Sequence, residues 1–435
     1  MKTVAFFTLG CKVNQYDTEV MLASFKEAGY IMVDFAEVAD VYIINTCTVT
    51  NMGDRKSRQV IRKAIHLNSS AIIGVVGCYA QRAVQEVLLI PGVSFVLGTK
   101  NHLKIVQITE RSMNQKDAIN GVEDITETES FESNIAIHTQ EGNTRAFIKI
   151  QEGCNQFCTY CIIPYVRGSI RSRSRSNITD EVRRLALSGY REIVLTGIHL
   201  ASYGKDNDQG TLLDVIKDIH NVEGIDRIRL GSIEPTLLTE SFIKQVSLLN
   251  KVCQHYHVSL QSGSAEVLRR MNRSYTPTEY VNFINNLRKQ IPGVSVTTDV
   301  MVGFPGETAE EYHESYTFIK AIAFSKIHVF RYSPREGTKA ALFSMQVPDT
   351  IKEERSTKMI QLGKCLEYKY LSQYLHTTQN VLVEKQIERN HGIMEGYTNQ
   401  YIRVAFKGES KLHNCMLPVT LLSIGKDMMM GKIYL

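Results

Sequence analysis

Three closely spaced cysteines are the residues of this sequence best suited to chemistry. Cys154, Cys158 and Cys161 are separated by three and by two residues. Thiolates crowded in this way favour an iron–sulfur cluster, and a cubane cluster ordinarily takes four of them. Three ligands leave one iron open to bind and reduce a cofactor, which a closed electron-transfer cluster cannot do. A structural zinc ion completed by a distant histidine is the alternative interpretation.

Three further cysteines share one structural position although they are far apart in sequence. Cys11, Cys47 and Cys78 each end a predicted strand, in residues 8–11 (TLGC), 45–47 (NTC) and 76–78 (VGC). The carboxyl ends of parallel strands meet at one edge of a sheet, where open α/β sheets bind ligands. We therefore expect the three thiols to converge, although a buried free cysteine is also an ordinary core residue. The cysteines outside both sets are predicted to be packing residues: Cys253, Cys365 and Cys415.

The segments around these cysteines predict an α/β fold in several parts. Residues 1–106 alternate apolar runs with helical patterns, which is typical of an N-terminal domain built on a parallel sheet. Residues 107–143 are polar and acidic, and we interpret them as a linker. Residues 144–349 contain six strand–helix units, which predict a partial (β/α)6 barrel. Residues 350–378 predict a connecting helix. Residues 379–435 predict a small antiparallel β-barrel, with short β-type runs at residues 380–384, 401–406 and 416–422.

The barrel prediction gives the first cysteine set its location. The six predicted strands are residues 146–150, 192–196, 227–232, 257–260, 294–300 and 326–330. Cys154 follows the first of them, so it lies on a loop at the carboxyl end of a barrel strand, where barrel enzymes have their active sites. The sequence therefore places both cysteine sets at the carboxyl edges of sheets.

Size and composition exclude several classes of protein. The chain has 435 residues, of which 43% are apolar and 22% are charged, so it is not largely disordered, collagen-like or a coiled coil. The longest apolar run, near residues 71–80, is far shorter than the roughly 20 residues that span a bilayer. The N-terminus imitates a short secretory signal before a lipid-attached cysteine, but its apolar stretch is too short and a helical pattern follows. We expect a cytoplasmic protein in a reducing compartment, with no membrane contact.

Positive charge is concentrated just beyond Cys161. Residues 160–191 hold seven arginines against two acidic residues, whereas the net charge of the whole chain is +5. Arg167, Arg171 and Arg173 lie among serines, and guanidinium and hydroxyl groups together favour contacts to phosphates. The alternative is an ordinary solvated charged face.

Residues 153–161 (GCNQFCTYC) resemble the signature of the radical S-adenosylmethionine superfamily. In that superfamily the open iron is chelated by S-adenosylmethionine, whose reductive cleavage gives a 5′-deoxyadenosyl radical. Two three-cysteine sites in this order, with residues 396–404 similar to a TRAM RNA-binding domain, resemble the methylthiotransferase family over essentially the whole chain. The resemblance implies two [4Fe-4S] clusters. Cys11, Cys47 and Cys78 would hold the auxiliary cluster, and Cys154, Cys158 and Cys161 the catalytic radical cluster.

Three segments that follow predicted strands strengthen this resemblance. Residues 231–235 (GSIEP), 259–264 (SLQSGS) and 298–308 (TDVMVGFPGET) are similar to family segments that line the cofactor and substrate cavity. The alternative is that such residues only connect strands to helices. The resemblance implies cofactor-binding roles for five side chains: Tyr160, Ser232, Glu234, Gln261 and Asp299.

The same resemblance implies an enzyme that inserts a methylthio group into a modified adenosine near the tRNA anticodon. Such an enzyme would need a reducing electron donor such as flavodoxin or ferredoxin, and a sulfur donor. Residues 195–204 (LTGIHLASYG) resemble the branch that acts on N6-threonylcarbamoyladenosine. The branches that act on isopentenyladenosine or on a ribosomal protein are alternatives. A non-catalytic iron–sulfur RNA-binding or electron-transfer protein is an alternative of another class.

Residues for the RNA substrate are expected at two places. A threonyl carboxylate calls for cationic or hydrogen-bonding partners, and His199, Arg331 and Arg335 are predicted near the carboxyl ends of barrel strands. The alternative is that His199 is an ordinary core histidine whose hydrogen bonds are satisfied within the fold. Near the C-terminus we expect Tyr397 and Tyr401 to stack on bases. Charge there would come from Lys385, Arg389, Arg403, Lys407 and Lys411.

Overall fold

The computed structural model of the chain describes residues 1–127, 131, 144–208, 210–387 and 392–434. Residues 128–130 and 132–143 of the predicted linker therefore lie outside the described residues, and so does Arg389. Among the helices that are described, none combines the length and the apolar character needed to cross a membrane.

The N-terminal part is a sheet of six parallel strands in the order β2-β1-β3-β4-β5-β6. The central strand β3 is buried along its whole length, because helices cover both faces of the sheet. The sheet continues past the predicted domain boundary at residue 106, since α5 leads to β6, which pairs with β5. Its elements are β1 Thr3–Thr8, α1 Lys12–Glu27, β2 Ile31–Met32, β3 Val41–Thr46, α2 Asn51–Leu67, β4 Ile72–Gly77, α3 Cys78–Arg82, α4 Val84–Leu88, β5 Phe95–Val96, α5 Ile105–Ser112 and β6 Ile119–Asn120.

The middle part contains all six of the predicted barrel strands. They form two four-stranded sheets, β10-β9-β7-β8 and β11-β12-β13-β14, which meet where β10 runs on into β11. The elements are β7 Arg145–Glu152, α6 Ile163–Arg167, β8 Arg171–Ser172, α7 Arg175–Leu187, β9 Glu192–Gly197, α8 Leu212–His220, β10 Arg227–Leu230, β11 Ser232–Ile233, α9 Glu240–Ser247, β12 His255–Val258, α10 Ala265–Arg270, α11 Pro277–Gln290, β13 Ser295–Val302, α12 Ala309–Ile322 and β14 Lys326–Arg331.

The two faces of β7 have different surroundings: one packs in the hydrophobic core, and the other faces the N-terminal part. Ala146, Ile148 and Ile150 point outward into the main hydrophobic core, where they meet residues of the surrounding helices. The alternate residues of β7 point to the other face, and there Lys149 contacts Asp17 of α1. Helix α1 of the N-terminal part therefore packs on the inner face of the first barrel strand.

The C-terminal part is a helix followed by a closed five-stranded barrel in the order β15-β16-β17-β19-β18. Four of the five strand pairs are antiparallel, as predicted, whereas β17 and β19 pair in parallel. The sequence pattern did not identify β16 or β19. The elements are α13 Asp349–Ser372, β15 Thr378–Gln386, β16 Ile393–Thr398, β17 Arg403–Lys407, β18 Met416–Ile424 and β19 Met429–Ile433.

This small barrel closes the lower end of the larger one. The guanidinium of Arg227 donates to the carbonyl of Tyr397 at 2.9 Å, and that of Arg229 donates to the carbonyl of Thr398 at 3.3 Å. Both arginines belong to β10, whose first residue is Arg227. The cysteine loops lie at the opposite, carboxyl end of the barrel strands.

Candidate active site

The loop that carries Cys154, Cys158 and Cys161 folds tightly against the segment that follows it. Gly153 has a φ of +72°, and a Cβ there would lie 1.8 Å from the carbonyl oxygen of Ser169. Only glycine permits that approach. The amide of Cys154 donates to Gly168 at 3.0 Å, and the amide of Cys161 donates to Cys158 at 2.9 Å. The three thiols are therefore gathered within one short, backbone-fixed loop.

The ends of three adjacent strands gather Cys11, Cys47 and Cys78. These cysteines follow β1, β3 and β4, which are neighbours in the sheet. A Cβ on Gly10 would lie 3.0 Å from the Cβ of Cys47 and 3.2 Å from its sulfur, so the loops that hold Cys11 and Cys47 touch. The expected convergence at one sheet edge is what the geometry shows.

The two cysteine sets are neighbours in space. Cys78 packs in one buried cluster with Ile162 and Val166, and Ile162 directly follows Cys161. In addition, the Nε of Arg167 donates to the Sγ of Cys78 at 3.2 Å. Contacts between α3 and α6 thus bring an N-terminal cysteine up to the loop of the barrel cysteines.

A buried ionic network surrounds this contact. Arg167 is only 1% exposed, and its Nη1 lies 2.8 Å from Asp17 and 3.1 Å from Glu152. Lys149 lies 2.5 Å from Asp17 and 2.9 Å from Glu152. Burial alone would raise the pKa of Asp17, but Lys149 and Arg167 hold the pKa of that carboxyl well below its usual range. Two cations and two carboxylates therefore compensate one another where the N-terminal part meets the barrel.

A second buried arginine serves the barrel cysteines in a similar way. Nη1 of Arg273 donates to the Sγ of Cys158 at 3.4 Å, and Nη2 pairs with Glu234. Glu234 also lies 3.6 Å from Nε2 of His199. Burial would raise the pKa of Glu234, but His199 and Arg273 hold it below its usual value. Each cysteine set thus has one guanidinium directed at one of its sulfurs.

The donor sets fit clusters better than single ions. Each set offers three thiols, and burial raises the pKa of Cys78 and of Cys161 to about 12, so iron must displace protons from them. Within the described part of the chain, no three His, Cys, Asp or Glu residues are arranged to hold one metal ion. A zinc ion draws its ligands to one point, whereas a cubane spreads them over separate irons. Three thiols in each set are the donors that a cubane cluster with one open iron takes.

A cavity of about 800 Å³ lies inside the barrel and reaches the N-terminal cysteine edge. Gly10 and Lys12, which flank Cys11, line one side of it, and Tyr401 of the C-terminal barrel lines another. The lining contributed by the barrel strands is polar and rich in histidine. His257, for example, lies 3.2 Å from Asp299. A volume of this size suits a ligand as large as a nucleoside with a substituent.

Of the five residues predicted to bind cofactor, two line this cavity and three lie outside its described lining. Ser232 and Asp299 line the cavity, and Glu234 reaches Cys158 through Arg273. Gln261 has a φ of +68°, and its backbone hydrogen-bonds to that of Asp299 at 2.9 Å. Tyr160 packs edge-on against Phe304, with ring centroids 6.5 Å apart.

The prediction that three arginines grip phosphates is wrong. Arg167, Arg171 and Arg173 are 1%, 4% and 1% exposed. Arg171 donates to the carbonyls of Ser169 and Arg167, each at 3.0 Å. Arg173 pairs with Glu181, and its Nη1 donates to the hydroxyl of Tyr16 at 3.0 Å. The local excess of arginine therefore serves buried pairing within the fold, which a count of charges along the sequence does not reveal.

The three residues expected to bind the threonyl group also lie outside the described lining of the cavity. Arg335 is 2% exposed and donates to Thr48 at 2.6 Å and to Asp54 at 2.8 Å, so it fastens the barrel to the loop after Cys47. Arg331 is exposed and lies 3.8 Å from Glu353. His199 lies near the cysteine loop, where it contacts Ser202 at 2.6 Å as well as Glu234.

The two tyrosines expected to stack on bases already stack on one another. Their ring centroids lie 4.8 Å apart, and Arg145 lies 4.7 Å from the ring of Tyr397. Arg229 lies 4.6 Å from the ring of Tyr401. Stacking of free faces on RNA bases is therefore wrong for this pair, because protein groups occupy those faces. Cys365 is likewise exposed rather than packed.

Sequence reasoning missed the residues that surround the cysteines. Asn14 and Asp17 are three residues apart on α1, directly after Cys11, and both contact Arg167. Their spacing on one helix face was a usable signal. Arg273 follows α10 in a segment without a motif, and only the fold brings it to Cys158.

Comparison with known proteins places these features in a family. Residues 3–98 match the uncharacterized protein family UPF0004, and residues 148–319 match the radical SAM superfamily. The threonylcarbamoyladenosine tRNA methylthiotransferase MtaB of Bacillus subtilis (strain 168) is 44% identical over 98% of this chain and 95% of its own length. The MtaB protein of Aquifex aeolicus (strain VF5) is 38% identical over 91% of this chain and 95% of its own.

The chain belongs to the methylthiotransferase family. Like the rest of this radical SAM family, it is an enzyme with S-adenosylmethionine and two [4Fe-4S] clusters as cofactors. The family is broader than one substrate. A tRNA-2-methylthio-N(6)-dimethylallyladenosine synthase of Pelotomaculum thermopropionicum is 34% identical over 97% of this methylthiotransferase and 95% of its own length.

A solved structure shares the fold of this methylthiotransferase. The radical S-adenosylmethionine methyltransferase TsrM of Kitasatospora setae superposes with a TM-score of 0.57 at 14% identity, covering 78% of this chain and 77% of its own. At that identity the likeness concerns architecture alone.

Proposed function

We propose that this protein converts N6-threonylcarbamoyladenosine next to the tRNA anticodon into its 2-methylthio derivative. The observation that carries the proposal is the contact between the two cysteine sets, where Cys78 packs on Ile162 and Arg167 reaches the Cys78 sulfur. A cavity large enough for the substituted nucleoside begins beside Cys11. The names of the two MtaB relatives support the choice of nucleoside.

The chemistry explains why two sites are needed. The C2–H bond of adenine has no acidity that a general base could use, so the bound cofactors supply a carbon radical to remove the hydrogen and a thiophilic centre to hold the sulfur. We assign Cys154, Cys158 and Cys161 to the radical cluster and Cys11, Cys47 and Cys78 to the auxiliary one. Tyr160, Ser232, Glu234, Gln261 and Asp299 are assigned to the cofactor pocket.

The protein's own contribution is placement and charge. Arg167 and Arg273 each donate an N–H to a cysteine sulfur, and hydrogen bonds to sulfur raise the reduction potential of a cluster. Nε2 of His199 lies 3.6 Å from Glu234, which accepts a hydrogen bond from Arg273, so we assign His199 as a positioning residue. The C-terminal barrel forms one wall of the cavity, through residues such as Tyr397 and Tyr401.

The remaining assignments concern domains and partners. We propose an N-terminal cluster domain, a radical barrel, the connecting helix α13 and a TRAM-like RNA-binding domain that begins at about residue 379. RNA contacts are assigned to exposed lysines of that last domain, because the barrel arginines are buried. A flavodoxin or ferredoxin would supply electrons, a separate donor would supply sulfur, and the cytoplasm would be the site of action.

Analysis of tRNA nucleosides tests the proposed function. In a deletion strain, mass spectrometry should show loss of 2-methylthio-N6-threonylcarbamoyladenosine, with the unmodified N6-threonylcarbamoyladenosine accumulating. The intact gene should restore the product, and a Cys154→Ala gene should not. Loss of the methylthio-isopentenyl nucleoside instead, with the threonylcarbamoyl product untouched, would overturn the substrate while leaving the family chemistry in place.

A further inference from the structure

A surplus of positive charge lies where the cavity meets the C-terminal barrel. Arg145, Arg227, Arg229 and Lys12 gather there, and the first three contact carboxylates. Arg229 lies 2.7 Å from Glu192, and Arg227 lies 3.6 Å from the same Glu192. Arg145 lies 2.5 Å from Glu384. Four cationic side chains therefore share two carboxylates.

Lys12 is the cation left over. It lines the cavity and lies 5.7 Å from the centroid of the Phe147 ring. Among the residues that the structure describes, no carboxylate lies within ion-pair distance of its ammonium. The lining holds three carboxylates: Asp299 lies 3.2 Å from His257, Glu367 lies 2.9 Å from Lys326, and Asp427 acts on Arg403. A half-buried ammonium without a carboxylate is costly unless an anion occupies the space beside it.

The wall next to this lysine offers unused hydrogen-bonding capacity as well. His255 is 6% exposed, and its Nδ1 has no hydrogen-bond partner within the described part of the chain. The side-chain oxygen of Gln400 is also buried and has no hydrogen-bond partner among the described residues. Both residues line the cavity. A buried polar atom ordinarily finds a partner, so these two atoms point to a polar ligand.

Resting on the proposed function, we propose that Lys12 binds the carboxylate of the amino-acid substituent on the substrate adenosine and is the specificity-determining residue for it. The lysine directly follows Cys11, so an adenosine placed at the N-terminal cysteine edge carries its N6 substituent within reach of the ammonium. The urea and hydroxyl groups of a threonylcarbamoyl chain then face the polar wall. A neutral isopentenyl chain would leave the ammonium of Lys12 unpaired. The enzyme would therefore bind the threonylcarbamoyl substrate more tightly than the isopentenyl one.

The test compares a charged with a neutral substituent. Anticodon stem-loop RNAs carrying N6-threonylcarbamoyladenosine, or its threoninamide analogue, are titrated by fluorescence anisotropy into the reconstituted holoenzyme without reductant. The intact protein should bind the carboxylate about ten- to hundredfold more tightly than the amide. Lys12→Met should weaken binding of the carboxylate to the level of the amide and leave the amide unchanged. Lys12→Arg should restore most of the preference.

A matched control separates this effect from charge in general. Lys26 lies on the same helix, 14 residues or roughly 20 Å further along its axis. Lys26→Met should keep the full preference, and thermal unfolding should show that each variant is folded. Equal binding of the carboxylate and the amide by the intact protein would overturn the proposal, and so would an equal loss for both RNAs in Lys12→Met, which would mark a phosphate contact. Either result leaves the nucleoside analysis of the deletion strain unaffected, so the two failures are distinguishable.

Discussion

At the scale of single residues, the contacts of Arg167 and Arg273 with the cysteine sulfurs are the hardest feature of the site to predict from sequence. The cysteines were predictable because thiols repeat at the ends of predicted strands, a pattern that is local in sequence. The predicted phosphate contact of Arg167 is wrong, because its partners Asn14 and Asp17 come from another part of the chain. Residue type and local spacing thus predict ligands well, whereas they do not predict which charges are buried together.

We expect Arg167→Gln to change the reduction potential of one cluster only. Its Nε–H donates to the sulfur of Cys78, and losing a donor and a positive charge disfavours the more negative reduced state. The midpoint potential of the auxiliary cluster should fall by on the order of 50 mV, about a tenfold change in the equilibrium constant. Potentiometric titration followed by electron paramagnetic resonance measures both clusters, and the radical cluster is the internal control. A shift of neither potential would contradict the assignment of Arg167.

Asp17 should make the protein sensitive to acid. The pKa of its carboxyl is held below the unfolded value of about 3.9 by Lys149 and Arg167. Its contribution to stability is therefore complete above that value and is lost as the pH falls through the depressed folded pKa. The free energy of unfolding of Asp17→Asn should consequently depend less on pH below about 5 than that of the intact protein. The exposed Asp34→Asn is the matched control, and denaturant titrations at several pH values make the comparison. An unchanged pH dependence in Asp17→Asn would refute this role.

At the scale of elements, the strands of the larger barrel were easy to predict, and so was the presence of a small C-terminal barrel, but two strands of that small barrel, β16 and β19, were not. In β7, for example, Ala146, Ile148 and Ile150 occupy alternate positions and pack in one outer core, a pattern that is visible in the sequence. In the small barrel, β16 contains Glu395 and Gly396, so its pattern is weak, yet pairing with β15 and β17 stabilises it. Partners distant in sequence decide such strands.

The parallel pair β17 and β19 places two lysines side by side. Phe406 is in register with Gly431, so the next residues along each strand, Lys407 and Lys432, lie adjacent, and both are at least partly exposed. Like charges at neighbouring positions cost stability, which favours a role in binding phosphates. The double variant Lys407→Gln/Lys432→Gln should weaken tRNA binding and lower the salt slope by roughly 0.9 for each phosphate that is no longer neutralised.

Filter binding at several salt concentrations checks this prediction. Lys56→Gln, at an exposed position of α2, is the control and should keep the slope of the intact protein. An equal slope for the double variant would remove the C-terminal barrel from the RNA surface.

At the scale of the whole molecule, the three parts close around one cavity, and this closure was beyond the reach of sequence analysis. The N-terminal part contributes Gly10 and Lys12, the larger barrel its inner face, and the C-terminal barrel Tyr401. The order of the parts along the chain was predictable from alternating patterns. Their docking depends on buried pairs such as Arg335 with Asp54, whose members are far apart in sequence.

The central claim is that the two adjacent cysteine sets hold two clusters with different tasks. The most direct measurement is anaerobic iron analysis, 5′-deoxyadenosine formation and sulfur insertion on one preparation each of the intact protein and of two triple variants. Cys11/Cys47/Cys78→Ala should keep about half of the iron and still cleave S-adenosylmethionine, yet insert no sulfur. Cys154/Cys158/Cys161→Ala should also keep about half of the iron but lose both activities. An N-terminal triple variant with the full iron content, or one that still inserts sulfur, would contradict the account.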